Sequence, residues 1–150
     1  MDNVPRIGEL MTASPQCVDV SDTVKTAKTL MLNENIKHLP VLRGERLVGI
    51  LSDRDVKLAQ AVSTDPNFHD NARVEDVFRS NPYTVPRSEP ANRVLSEMAE
   101  RRIGSVLIVE DEELIGIFTT TDACRCFADF LRFHFGDGED EAPTGQELTA

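Results

Sequence analysis

MTASPQCVDVSDTVKTAKTLMLNENIKHLPVLRGERLVGILSDRDVKLA, residues 11–59, is matched without a gap by FRSNPYTVPRSEPANRVLSEMAERRIGSVLIVEDEELIGIFTTTDACRC, residues 78–126. The identities include Pro15/Pro82, Val18/Val85, Ser21/Ser88, Met31/Met98, Ile36/Ile103, Leu47/Leu114, Gly49/Gly116, Ile50/Ile117 and Asp55/Asp122, each pair 67 positions apart. Val41/Ile108, Val48/Ile115 and Ser52/Thr119 swap like for like. Such self-similarity marks a duplicated structural unit, so the architecture is decided before any motif is read.

Each copy reads the same way. Gln16–Val20 and Tyr83–Arg87 are short extended pieces after Pro15 and Pro82. Ser21 and Ser88 suit helix N-caps, with Asp22 and Glu89 just inside, where the helix dipole favours acids. Val24, Ala27 and Met31, and their counterparts Ala91, Val94 and Met98, recur at helical spacing and predict one buried helix face. His38–Leu42, the polar turn Arg43–Arg46 and Leu47–Leu51 predict a hairpin. Ser105–Val109 and Leu114–Phe118 predict a second, apolar enough for burial on both faces. A last helix opens near Ser52–Asp53 and near Thr119–Thr120, the latter running on through Phe127, Phe130 and Leu131.

The expected class is therefore α+β, two pseudo-symmetric β-α-β-β-α motifs. Residues 10–62 form the first motif and 74–134 the second, with an N-terminal segment at 1–9 and a connecting loop at 63–73. One motif of about 50 residues is too small to cover its own sheet, and stacking two through their apolar sheet faces solves that. Residues 135–150 are an acidic tail, expected to be disordered.

Charge bounds the partners. The net charge is −10, and half of that excess lies in Asp137, Glu139, Asp140, Glu141 and Glu147 of the tail. An acidic chain lacks the basic footprint that neutralises phosphates of a nucleic acid. No apolar run is long enough to cross a bilayer, and Met1–Leu10 lacks a signal-peptide pattern, so no membrane partner and a cytoplasmic location are expected. Cys17, Cys124 and Cys126 have no metal-finger spacing. The last two are two apart on a helix and point to different faces, so one or both suit core thiols better than a metal site.

The strongest local signal is Gly49-Ile50-Leu51-Ser52-Asp53-Arg54-Asp55, echoed by Gly116-Ile117-Phe118-Thr119-Thr120-Thr121-Asp122. A hydroxyl stands where strand gives way to helix, and an Asp follows three positions later. Unpaired N–H groups at a helix start, with a hydroxyl beside them, can hold a phosphate. A carboxylate in the same turn can accept both hydrogen bonds of a ribose diol, as acids do in dinucleotide sites. The same Ser-x-x-Asp spacing also resembles a helix capping box that needs no ligand, although such a box prefers Glu or Gln. The local residues fit either reading.

The ordered set of motifs resembles a tandem pair of cystathionine β-synthase (CBS) domains, a Bateman module. The matching pieces are Met11–Pro15, Ile36–Val41 and Gly49–Asp55, then Phe78–Pro82, Ile103–Ile108 and Gly116–Asp122, within residues 8–131. The resemblance implies a cleft between stacked sheets that binds an adenosine derivative. AMP, ADP or ATP is favoured, which would make the protein an energy sensor, ahead of S-adenosylmethionine or a cyclic dinucleotide. It implies that Ser52 and Thr119 contact phosphate and that Asp55 and Asp122 hold ribose. Early-strand residues Val18, Thr84 and Val85 would frame the adenine, together with the hairpin entries Lys37, His38, Leu39 and Pro40, and Gly104, Ser105, Val106 and Leu107. Cys17 stands where the family often has Thr, as at Thr84, and Leu107 replaces Pro40.

Lys37, His38 and Arg54 give the first copy three cationic candidates for phosphate, while their counterparts Gly104, Ser105 and Thr121 give none. Arg54, in the helix-opening turn, is the best placed, the bland alternative being an exposed arginine. No nucleophile–base pair, metal cluster or Gly-rich phosphate loop stands out, so no enzymatic activity and no catalytic cofactor are expected. The expectation is a stand-alone regulatory module that binds an adenine nucleotide and signals to a separate protein. The resemblance also implies a homodimer, for which Phe127, Phe130, Leu131 and Phe133 offer apolar helix surface. The alternative is a ligand-free scaffold for dimerisation or docking.

Overall fold

In the computed structural model, which describes residues 3–138, two four-stranded sheets each carry their own helices. The first part of the chain forms α1 (Ile7–Leu10), β1 (Thr12–Ala13), β2 (Val18–Asp19), α2 (Val24–Glu34), β3 (His38–Arg43), β4 (Arg46–Ser52) and α3 (Asp53–Val62). After α4 (Phe68–Asn71) and a 3₁₀ turn at Val74–Asp76, the pattern repeats. It gives β5 (Arg79–Ser80), β6 (Thr84–Val85), α5 (Ala91–Arg101), β7 (Ser105–Glu110), β8 (Glu113–Thr119) and α6 (Thr120–Phe135). This is the duplicated α+β architecture expected from the repeat.

The hairpins match residue for residue. Pro40 faces Ile50 and Leu107 faces Ile117, and the register shifts after Val41 in one hairpin and after Ile108 in the other. Val106, Leu107 and Ile108 are buried in succession, so β7 is covered on both faces as its composition predicts. The expected helix stripes are buried too: Val24, Ala27 and Met31 in α2, Ala91, Val94 and Met98 in α5. Each half has its own apolar cluster, one around Leu39, Leu51 and Val56, the other around Val106, Ile108 and Phe118.

The sheets are not built from one copy each. Their orders are β2-β3-β4-β5 and β1-β8-β7-β6, so each copy lends its opening strand to the other's sheet. Ala13 pairs with Gly116, and Ser80 pairs with Gly49. That exchange explains why glycine occupies both positions. A Cβ on Gly49 would lie 2.2 Å from the Arg79 carbonyl oxygen and 2.4 Å from the Phe78 ring, and one on Gly116 would lie 2.3 Å from the Met11 sulfur. At Gly49 the lent strand's backbone leaves no room for a side chain, whereas at Gly116 the nearest atoms belong to the flexible Met11 side chain.

Two local expectations give way. The N-caps are Thr23 and Pro90, not Ser21 and Ser88, so Asp22 and Glu89 stay outside the helices. Ser21 is captured locally, since its hydroxyl donates to Asp19 Oδ1 at 2.7 Å, the kind of short-range bond that competes with capping. In the second copy Pro90 keeps Glu89 out of the helical region, so the helix begins only after the proline. The connecting segment also holds a helical turn, α4, whose predecessor Asn67 is tied through its N–H to Asp65 Oδ1 at 2.8 Å. The acidic tail falls almost wholly outside the described residues.

Candidate functional site

A cavity of about 1000 Å³ opens between the halves. Its floor is laid down by backbone geometry common to both copies. The N–H of Asp53 donates to the Lys37 carbonyl (2.9 Å) and that of Thr120 to the Gly104 carbonyl (3.0 Å), fastening each helix start to a hairpin entry. Of the residues singled out in the sequence, Lys37, His38, Ser52, Arg54, Asp55, Gly104, Ser105 and Leu107 line this one cavity.

The others do not. Val18, Leu39, Pro40, Val85 and Val106 are buried within the halves. Thr84 borders a separate, smaller hollow with Glu45 and Glu112. Thr119, Thr121 and Asp122 line neither hollow. The two Ser/Thr-x-x-Asp corners are therefore not equivalent in their surroundings.

In the first corner Asp55 is only 9% exposed. Its Oδ2 accepts from the Ser52 N–H (3.1 Å) and hydroxyl (2.8 Å), while Ser52 Oγ accepts from the Asp55 N–H at 3.1 Å. Its Oδ1 accepts from Arg79 Nε at 2.7 Å. In the second corner Thr119 and Asp122 form the same reciprocal cap, at 2.8 Å from the N–H and 3.0 Å from the hydroxyl. There the free oxygen meets only Arg125 of its own helix, at 3.3 Å. The capping box is present in both corners, but only the first one's Ser and Asp line this cavity.

Asp53 adds a second buried carboxylate, bonded to Lys28 and 2.8 Å from Lys57. These hydrogen bonds, Lys28 first and Lys57 second, hold its carboxyl down at about 2. Lys28 stands at the position equivalent to Leu95, and Asp53 at that of Thr120, both of which line the cavity. An ion pair thus occupies the first half where its twin offers an apolar side chain and a hydroxyl.

His38 crosses between the halves. A Cβ on Gly104 would lie 2.9 Å from His38 Nε2, so the ring rests against the glycine backbone. Burial pushes its pKa below the ordinary imidazole value, opposed by the Asp55 carboxylate and aided by the Lys37 charge.

Sequence reasoning passed over several cations. Lys57, Arg79, Arg101 and Arg102 join Lys37 and Arg54 around the cavity, where Asp53 and Asp55 are the acidic lining residues and Glu97, one turn back on α5, lies 3.8 Å from Arg101. Arg101 lies over the Tyr83 ring, 5.0 Å from its centre. Arg102 ends α5 with φ of 53°, a left-handed cap that Asn35 takes at the equivalent place with φ of 52°. Asparagine tolerates that conformation; arginine adopts it at a cost of about 1 kcal/mol. Arg79 lay inside a quoted motif, but only strand exchange brings it to Asp55. A strongly cationic hollow on a chain of net charge −10 suits a small polyanion.

Comparison with known proteins agrees with this architecture. Residues 7–61 and 74–129 match the family model described as CBS domain. The chain is 32% identical over 119 residues to the uncharacterized protein YlbB of Bacillus subtilis, covering 78% of each. It superposes on an uncharacterized conserved protein from Pyrococcus horikoshii with a TM-score of 0.72 at 29% identity, over 85% of this chain and 95% of that one. It also superposes, with a TM-score of 0.69 at 26% identity, on a CBS domain pair in complex with 5′-methylthioadenosine and S-adenosyl-L-methionine, over 81% of this chain and 98% of that one.

Proposed function

Because this chain belongs to the CBS domain family and carries two CBS domains in tandem, a regulatory module, we propose that it binds a phosphorylated adenosine in the Ser52–Asp55 cleft and signals to a separate protein. AMP, ADP and ATP fit better than S-adenosylmethionine. The observation that carries this is the charge of the cleft: six lysine and arginine side chains against two carboxylates, both already paired. A sulfonium ligand would bring a further positive charge into that field, whereas phosphates complement it. The adenosyl ligands of the solved CBS pair support the nucleoside half of this reading.

In this proposal Asp55 accepts from the ribose, and Arg54 and the start of α3 receive phosphate. Leu95, Met98 and Tyr83 give the cleft its apolar wall for the base. The module catalyses no reaction of its own. Ligand binding shifts the setting of the halves by its differential affinity for the two arrangements, and a partner reads that shift. Among the described residues no helix is long and apolar enough to cross a membrane, and we place the protein in the cytoplasm. Leu58 and Val62 of α3, with Phe127, Phe130 and Phe133 of α6, stand exposed and would be covered in a homodimer.

Titration calorimetry with ATP, ADP, AMP, S-adenosylmethionine and cyclic di-AMP tests the proposal. Micromolar binding of an adenosine phosphate, tighter than S-adenosylmethionine, is expected. Absence of binding by every ligand of that set would leave the second reading, a ligand-free scaffold, which the completed capping boxes at Ser52 and Thr119 favour. Light scattering after gel filtration should give twice the monomer mass of 16.7 kDa.

A further inference from the structure

We infer that Arg79 is the residue by which this cleft selects phosphorylated adenosines over unphosphorylated ones, an inference that rests on the nucleotide reading above. The Ser52 cap engages Asp55 Oδ2 from two donors, at 3.1 and 2.8 Å, which leaves Oδ1 as the oxygen available to a ribose hydroxyl. Arg79 Nε already donates to Oδ1 at 2.7 Å. A ribose in the cleft must therefore share or replace the guanidinium.

Only one of the two partners is free to yield. The Asp55 side chain is 8% exposed and locked in the cap, while that of Arg79 is 67% exposed. The Arg79 backbone is fixed by pairing with Ile50, and its carbonyl lies against Gly49, so the strand stays while the side chain turns. A displaced guanidinium loses its counter-ion. Adenosine offers none in return. A phosphate near the start of α3 offers a bidentate anionic partner, so displacement is offset only when the ligand is phosphorylated.

The second corner supplies the internal control. Thr12 stands at the position equivalent to Arg79, and Asp122 Oδ1 meets Arg125 from its own helix instead. The tie between the halves is thus particular to the first corner. It forms because β5 is lent to the first sheet.

The test is calorimetry of wild type, Arg79→Ala, Arg79→Lys and Arg125→Ala with ATP and with adenosine, alongside melting temperatures to establish folding. Wild type should prefer ATP, and Arg79→Ala should lower the ratio of ATP to adenosine affinity by about tenfold or more, with adenosine binding unchanged or tightened. Arg79→Lys, which keeps the charge without the fork, should retain part of the preference, and Arg125→Ala should retain all of it. A ratio in folded Arg79→Ala within about twofold of wild type, ATP binding being intact, overturns this inference and leaves the nucleotide reading standing. A wild type that binds no nucleotide overturns both.

Discussion

The corner at Ser52–Asp55 and the corner at Thr119–Asp122 have the same backbone and different neighbours. Both begin a helix at a hydroxyl, both close a reciprocal cap, and both follow a glycine crossed by a lent strand. What differs is the charge around the shared aspartate. Asp53, Arg54, Lys57 and Arg79 in the first corner correspond to Thr120, Thr121, Cys124 and Thr12 in the second. The two copies agree in the parts that build the corner and differ in the charges set around it.

The largest effect should come from the shared glycines, and it should be unequal. Gly49→Ala drives a methyl into a backbone carbonyl and an aromatic ring, whereas Gly116→Ala meets chiefly the flexible Met11 side chain. Denaturant unfolding should show a loss of about 3 kcal/mol for the first and about 1 kcal/mol for the second. Equal losses would mean that the two strand crossings are equally tight.

The two aspartates should separate next, in binding. Asp55→Ala should weaken ATP by at least about tenfold in calorimetry, while Asp122→Ala stays within about twofold. The reverse ranking would move the ligand to the second corner.

Asp53 has no carboxylate twin, so its contribution isolates the charged corner. Its carboxyl is held at about 2, below the unfolded value near 4. Such a group stabilises the fold above the unfolded pKa, and that contribution fades as pH falls from about 4 through about 2. Lys28→Ala should cost on the order of 1.5 kcal/mol at pH 7 and flatten the decline of melting temperature across that acid range. A variant with an unaltered acid profile would show that Lys57 alone holds Asp53.

The smallest effect should be symmetric. Ser52→Ala and Thr119→Ala each remove a cap and should each cost about 1 kcal/mol in thermal unfolding. If only Ser52→Ala destabilises, the second cap is not maintained in solution.

How far the sequence could be read follows from which signals are local. Hairpins and helix stripes are written in periods of two and 3.6, and His38–Arg43 and Val24–Glu34 carry enough residues to show them. Thr12–Ala13 and Arg79–Ser80 are two residues each, too short to display any period, so their exchange between sheets left no trace. The same gap hid Arg79 from the site. Ser21 misled because Asp19, two residues away, competes for its hydroxyl.

By itself, then, the sequence determined that the molecule is built twice over, where its hairpins and helices run, and that each Asp stands one turn after a hydroxyl. These follow from repetition and short-range periodicity, which a linear chain displays directly. The tertiary structure decided that one copy's strand would complete the other's sheet, and that cations from residues 37 to 102 would gather around a single hollow. Pairing between strands that lie about 30 residues apart in one sheet and about 100 in the other is settled by which surfaces can close on a glycine and which charges find partners, and neither quantity exists until the chain has folded.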